Sequence, residues 1–203
     1  MPELPEVETI VSELRPLIIG KTFQKITFPW PRTVEGDPLQ LIAALTGKKI
    51  VHIDRRGKYL CIHFSNELCL TIHLRMTGKL VFEPTEKDKK YIRVIFEFTD
   101  RTTLYFVDMR KFGRMRLWSK AETLLPHLGP DPLEEKTVFQ VLANQKSRRA
   151  IKTVLLDQGV LAGVGNIYAD EALYMAGIHP LTPAHHLSGE CFQELSRHLP
   201  VIL

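Results

Sequence analysis

Residues 59–80, YLCIHFSNELCLTIHLRMTGKL, decide the fold. Leu68, Leu70, Ile72 and Leu74 alternate with Cys69, Thr71 and His73, the period of a strand with one buried face. A matching run at 59–64 lies on the other side of Asn66, a residue type that favours turns. The stretch therefore reads as a hairpin, with a third strand at 79–82. Working outward, the same period recurs at 22–28, 49–54, 93–98, 103–108 and 115–118, with Asp100 marking another turn. Eight short, closely spaced strands predict an antiparallel sandwich. The polar tract EPTEKDKK at 83–90 predicts a mobile loop.

Helical spacing frames these strands. Val7, Ile10, Val11, Leu14 and Ile18 share one face of a helix over 4–19. Glu3, Glu6 and Glu8 stand at its positive end and Gly20 can close it. Pro16 is expected to kink it or end it early. Asp37 can cap a short helix with Pro38 at its first position. Beyond residue 120 the texture turns helical, with expected helices at 133–144, 148–157, 166–176 and 188–199, the last ended by Pro200. A glycine-rich turn, GVLAGVG at 159–165, separates the second and third of these. The class is α+β: an N-terminal antiparallel β-sandwich flanked by helices over 1–118, a linker at 119–130 and a helical module over 131–203.

Of 203 residues 44% are hydrophobic and 25% charged, which excludes disordered and collagen-like chains. No apolar run is long enough to span a bilayer, no secretory signal opens the chain, and a cytoplasmic location is expected. Three cysteines without a C-x-x-C pair give neither a disulfide framework nor a zinc knuckle. The net charge of +4 is uneven: residues 55–116 carry 14 basic against 7 acidic residues. A phosphate-bearing partner explains that excess, and so does a solvated basic face.

The terminus offers chemistry. Removal of Met1 ahead of the small Pro2 would expose a secondary amine. An α-amino group titrates at about 7.7–8.0, against about 10.4 for lysine, so a far larger fraction of it is unprotonated at neutral pH. Such an amine attacks aldehyde-level carbon to give a Schiff base, and Glu3 beside it can move protons. The plainer alternative is that Pro2 merely opens a helix.

The opening MPELPEVET resembles the formamidopyrimidine-DNA glycosylase family, the bacterial 8-oxoguanine DNA glycosylases. The resemblance continues, in the family's order, through RRGKYL (55–60), HLRMTGKL (73–80), DMRKFG (108–113), LGPDPL (128–133) and VLLDQGVLAGVGNIYADEAL (154–173). Leu4-Pro5 is similar to this branch rather than to the endonuclease VIII branch, which has glycine at position 4. The resemblance implies base-excision repair by a bifunctional glycosylase and lyase. Pro2 would attack C1′ of the damaged nucleotide, Glu3 would assist ring opening, and Lys58 would be the second proton-transfer group. Met76, Arg110 and Phe112 would fill the gap left by the extruded base. His73 and Arg75 could contact phosphate, although a lone strand histidine is as readily structural. Asn166, after the glycine turn, would open a helix–two-turn–helix element whose free N–H groups seat a phosphate. Lys146, Arg148, Arg149 and Lys152 would lie on the helix before it, with Arg148 where the family has a DNA-contacting lysine.

Two departures accompany the resemblance. Tyr91 stands where the family commonly has a DNA-contacting histidine, and Arg93 replaces another. Family members also continue past Leu203 into a lesion-covering loop and a four-cysteine zinc finger. The expectation is therefore a truncated chain without metal or cofactor, with weaker DNA binding and an exposed apolar end. The expected partner is damaged double-stranded DNA, with no membrane, and the expected state is a monomer. Two other readings compete with the enzyme: a catalytically impaired remnant, and a nucleic-acid-binding module without catalysis.

Overall fold

The computed structural model describes residues 2–119 and 122–203. The expected removal of Met1 and part of the expected linker fall outside them. Contacts divide the chain into two units: Glu6–Leu124 with Met1–Pro2, and Leu125–Leu203 with Glu3–Pro5.

In the first unit α1 (Leu4–Ile18) precedes β1 (Phe23–Thr27), α2 (Pro38–Leu45), β2 (Ile50–Arg56), β3 (Tyr59–Phe64), β4 (Cys69–His73), β5 (Gly78–Val81), α3 (Glu86–Lys89), β6 (Ile92–Phe98), β7 (Thr103–Asp108) and β8 (Arg114–Trp118). The strands form two four-stranded sheets, ordered β1-β6-β7-β5 and β2-β3-β4-β8. Every pairing among them is antiparallel. Phe23, Ile26, Val94, Phe96, Phe98 and Phe106 of one sheet share a buried core with Ile53, Leu60, Ile62, Leu70 and Ile72 of the other. Each such side chain contributes about 1.5–3 kcal/mol by leaving water. Phe23 stacks on Phe96 and Phe98 with centroids 5.2 Å away in each case. Val7, Val11, Leu14 and Ile18 bury the predicted stripe of α1 in the same core. Asp37 caps α2 as expected, accepting from the Leu39 N–H at 2.8 Å.

Local expectations fail in three places. The tract 83–90 is not a plain loop: it carries α3, begun by a reciprocal Thr85–Asp88 capping box, with Asp88 also bound to Lys79 at 2.8 Å. Pro16 does not end α1, which runs two residues past it to Ile18. Pro200 likewise does not end the final helix, which runs through it to Ile202.

In the second unit α4 (Glu135–Ala143), α5 (Ile151–Leu155), α6 (Asn166–Met175) and α7 (Gly189–Ile202) enclose their own core around Val138, Leu142, Val154, Leu155, Leu173 and Leu195. The expected helix over 148–157 shrinks to α5. The backbone before it pairs with 182–185 instead: Ala184 N–H donates to Arg149 O at 3.0 Å and His185 N–H to Ser147 O at 3.1 Å. Lys146, Arg148 and Arg149 thus precede the helix rather than ride on it. Among the described residues no helix is long and apolar enough to cross a membrane.

Candidate active site

Two neighbouring loops of the sandwich present the expected gap-filling residues. Between β4 and β5 the chain turns through Arg75 at φ +55°, and Gly78 N–H donates back to Leu74 O at 3.0 Å. A Cβ at Gly78 would meet that carbonyl oxygen at 2.4 Å, so the turn requires glycine. Met76 is left 46% exposed at its tip.

The loop between β7 and β8 is organised by Asp108, a residue the sequence reading did not single out. Its buried carboxylate accepts from Arg110 N–H at 3.1 Å and from Gly113 N–H at 2.8 Å, and also from the Thr77 hydroxyl of the neighbouring turn. One carboxylate therefore clamps both loops. The available signal was an Asp two residues before Arg110, the spacing at which an Asp side chain caps its own turn. Phe112 emerges 46% exposed on this loop. The Arg110 guanidinium lies 4.8 Å from the Phe112 ring centroid. Met76 and Phe112 line one open groove of about 420 Å³ together with Arg75, Arg114 and Glu35.

Lys58 and His73 are buried, not exposed. Lys58 follows Gly57 at φ +55° in the β2–β3 turn and keeps 5% exposure. His73 keeps 7% exposure. Its Nδ1 accepts from the Arg75 N–H at 3.0 Å and its ring meets Tyr59 edge-on at 4.6 Å. Burial first, and then the charges of Arg75 and Lys58, bring its pKa down to about 3. His73 thereby fixes the turn through the bond that its Nδ1 accepts from Arg75.

The unfolded imidazole titrates near 6.5 and the folded one near 3, so between those values the unfolded chain binds the extra proton. That part of the stability is complete above about pH 6.5 and is lost as pH falls toward 3. His73→Asn keeps an acceptor for Arg75 but does not titrate. Urea melts should show it losing roughly 2–3 kcal/mol less than the parent between neutral pH and about pH 4. An unchanged acid slope would assign the loss elsewhere.

Tyr91 is half-buried, with Lys90 Nζ 5.0 Å and the Arg93 guanidinium 5.9 Å from its ring. Arg93 is itself buried and donates to Asp108 O at 2.8 Å, so it braces the same loop.

In the second unit, the glycine turn seats the N-terminal residues. Gln158 spans the turn, donating to Leu156 O and Val164 O at 2.9 Å each and accepting from Gly163 N–H at 3.0 Å. Gly163, at φ +96°, accepts at its carbonyl from Leu4 N–H at 3.1 Å. Glu3, 2% exposed, directs its carboxylate at the start of α6, accepting from Ile167 N–H at 3.0 Å and Tyr168 N–H at 3.4 Å. This corrects an expectation: those N–H groups hold Glu3 rather than standing open as a phosphate seat. The physical reason is the same, because a helix N-terminus favours an anion, and this anion comes from the chain itself. Asn166 remains exposed beside it. Lys152 pairs with Asp170 at 2.7 Å and Arg149 with Asp157 at 2.9 Å, while Lys146 and Arg148 are exposed.

The described residues contain no group of three or more His, Cys, Asp or Glu placed to hold a metal ion. Cys61 and Cys69 belong to the sandwich and Cys191 to α7.

Residues 1–115 match the formamidopyrimidine-DNA glycosylase N-terminal domain and residues 128–203 match the H2TH domain of the same enzymes. The chain belongs to the formamidopyrimidine-DNA glycosylase family. It is 45% identical over 197 residues to the formamidopyrimidine-DNA glycosylase of Ligilactobacillus salivarius, covering 94% of this chain and 71% of that protein. With the Bacillus subtilis enzyme the identity is 42% over 204 residues, covering 96% and 74%. The Lactococcus lactis formamidopyrimidine-DNA glycosylase bound to DNA containing an abasic site superposes with a TM-score of 0.89 at 37% identity, covering 98% of this chain and 79% of that one. The Lactococcus lactis enzyme with DNA containing Fapy-dG gives 0.88 at 37% identity, covering 98% and 78%. As a formamidopyrimidine-DNA glycosylase family member, this chain is a DNA glycosylase of base-excision repair.

Proposed function

We propose that the chain removes oxidised purines, 8-oxoguanine and formamidopyrimidines, from damaged duplex DNA and then cleaves the abasic strand as a lyase. The observation that carries this reading is the seating of Glu3. Its buried carboxylate, held by two N–H groups of α6, is covalently next to Pro2, which opens the chain once Met1 is gone. The proline nitrogen attacks C1′ and the base leaves. The proline N–H proton passes to the Glu3 carboxylate, the freed nitrogen lone pair forms the C=N bond, the C1′–O4′ bond breaks, and Glu3 returns that proton to O4′. Loss of a C2′ proton then expels the 3′ phosphate, with Lys58 as the second proton-transfer group. This reading routes every step through an amine and protein acids and bases and invokes no cofactor.

Met76 and Phe112 fit the space vacated by an extruded base, since an apolar plate can replace lost stacking. Arg110, Arg75, Tyr91, Arg148, Lys152 and Asn166 are proposed DNA contacts, and Lys152 would have to exchange its Asp170 partner for phosphate. Phe112→Ala should cost about 1–3 kcal/mol of lesion extrusion, the worth of one base–aromatic stack. The readout is fluorescence of a base analogue at the lesion, compared with binding to intact duplex. Equal losses on both substrates would refute the wedge role.

The test of the whole reading is borohydride reduction in the presence of duplex DNA with an abasic site. The processed chain should yield a covalent adduct on its N-terminal peptide, and a chain that keeps Met1 should yield none. An adduct on a lysine that persists with Met1 in place would overturn the amine assignment. Binding without any adduct would favour a catalytically silent DNA-binding module.

A further inference from the structure

On the sheet β2-β3-β4-β8, one cluster of reactive groups takes no part in the chemistry above. Asp54 stands opposite Cys61, and His63 opposite Cys69, in register. Residues 61 and 63 alternate with Leu60 and Ile62, which point into the core, so the four groups share the other face of the sheet. His63 Nε2 is 3.1 Å from Asp54 Oδ1 and 4.0 Å from Cys69 Sγ. His52 approaches Asp54 from the adjoining position at 3.5 Å. Cys61 is fully buried and Cys69 keeps 7% exposure, while the His63 side chain is 32% exposed and opens the cluster to water.

We propose that Cys69 and Cys61 form a peroxide-reactive dithiol, with Cys69 as the attacking sulfur and Cys61 as the resolving one. A lone pair of the Cys69 thiolate attacks one oxygen of a hydroperoxide and the O–O bond breaks. The departing oxygen takes the Nε2 proton of His63 and leaves as water or an alcohol. Sulfur is oxidised to the sulfenic acid and the peroxide is reduced by two electrons. The Cys61 sulfur then attacks the sulfenic sulfur, the S–O bond breaks, and hydroxide leaves with the thiol proton as water, which closes a disulfide between β3 and β4.

Electrostatics favours this assignment of roles. The Cys61 thiol, diagonal to it across β3 and β4, and next the contact with His63, hold the Cys69 thiol below the ordinary thiol range, although burial opposes them. Cys61 is pushed the other way by its Cys69 neighbour and by its burial, so it remains the proton donor of the pair. The hydrogen bond to Asp54 first, and then that with Cys69, raise the His63 pKa to about 10, keeping its proton available. Low-pKa thiolates are the ones that enter the oxidation ladder. The inference rests on this sheet alone and is independent of the role given to Pro2.

Trypsin leaves Cys61 and Cys69 together on peptide 59–75 and places Cys191 on another, which supplies an internal reference. Under limiting hydrogen peroxide the folded chain should lose two hydrogens from peptide 59–75 about tenfold faster than Cys191 oxidises. Unfolding in urea should abolish that preference. Cys61→Ser should instead leave a dimedone-reactive sulfenic acid at Cys69, Cys69→Ser should leave Cys61 unreacted, and His63→Gln should slow the parent reaction. The proposal fails if peptide 59–75 oxidises no faster than Cys191 in the folded chain, or if Cys61 reacts equally well without Cys69.

Discussion

Glu3→Gln is expected to lower single-turnover excision of an oxidised purine by about 10²–10⁴-fold, the usual worth of a positioned proton donor. Two roles compete for this carboxylate, and their magnitudes separate them. If Glu3 only complements the start of α6, neutralising it costs about 0.3–1 kcal/mol, as for an anion at a helix N-terminus. The amide oxygen of glutamine can still accept from Ile167 and Tyr168, so the fold and the DNA-binding surface persist. A domain of this size would then melt only about 2–4 °C lower for each kcal/mol lost. If Glu3 also protonates O4′, the rate collapses while the melting temperature barely moves. Retained excision with an intact fold would remove Glu3 from the chemistry and leave it a purely structural anion.

Gly165→Ala is expected to reproduce most of that loss without touching an acid or a base. A Cβ at residue 165 would lie 2.2–2.5 Å from the Glu3 carboxyl group. The carboxylate is the far end of a flexible side chain, so it is what moves, and it leaves the Ile167 and Tyr168 N–H groups. Stability should fall by about 1–3 kcal/mol as those donors lose their partner. Because both changes act on one carboxylate, the double variant with Glu3→Gln should be hardly slower than the slower single variant. Gly163→Ala makes the contrast. Its φ is +96° and its Cβ would meet Leu4 Cβ at 2.9 Å, so backbone strain of about 1–3 kcal/mol adds to the clash and stability should fall further than in Gly165→Ala. Excision kinetics and thermal melts on the same preparations check both glycines. Full activity in Gly165→Ala would show that the carboxylate need not occupy its present seat.

These two glycines show where the sequence speaks and where it stops. The GVLAGVG run is legible as a turn before a helix, yet nothing in it says that residues 3 and 4 dock there. Other features that the sequence leaves open share this cause. Lys58 after Gly57 has the local signature of an exposed turn, and only packing buries it. The stretch 146–149 has helical composition, but its backbone groups find partners at 184–185. The short helix α3 was missed for a different reason: its cap is Thr85 with Asp88 rather than the more familiar glutamate.

The strands, the longer helices, the cap at Asp37 and the apolar stripe of α1 were determined by the sequence alone. Each depends on side-chain periodicity or backbone preference within a few neighbouring residues, and such preferences are written locally. Only the tertiary structure decided that Asp108 clamps both loops, that His73 is held neutral, and that Glu3 occupies the start of α6 across 164 residues of chain. Those outcomes depend on which distant donors meet a buried carboxylate or imidazole once water is removed, and no local pattern encodes that meeting.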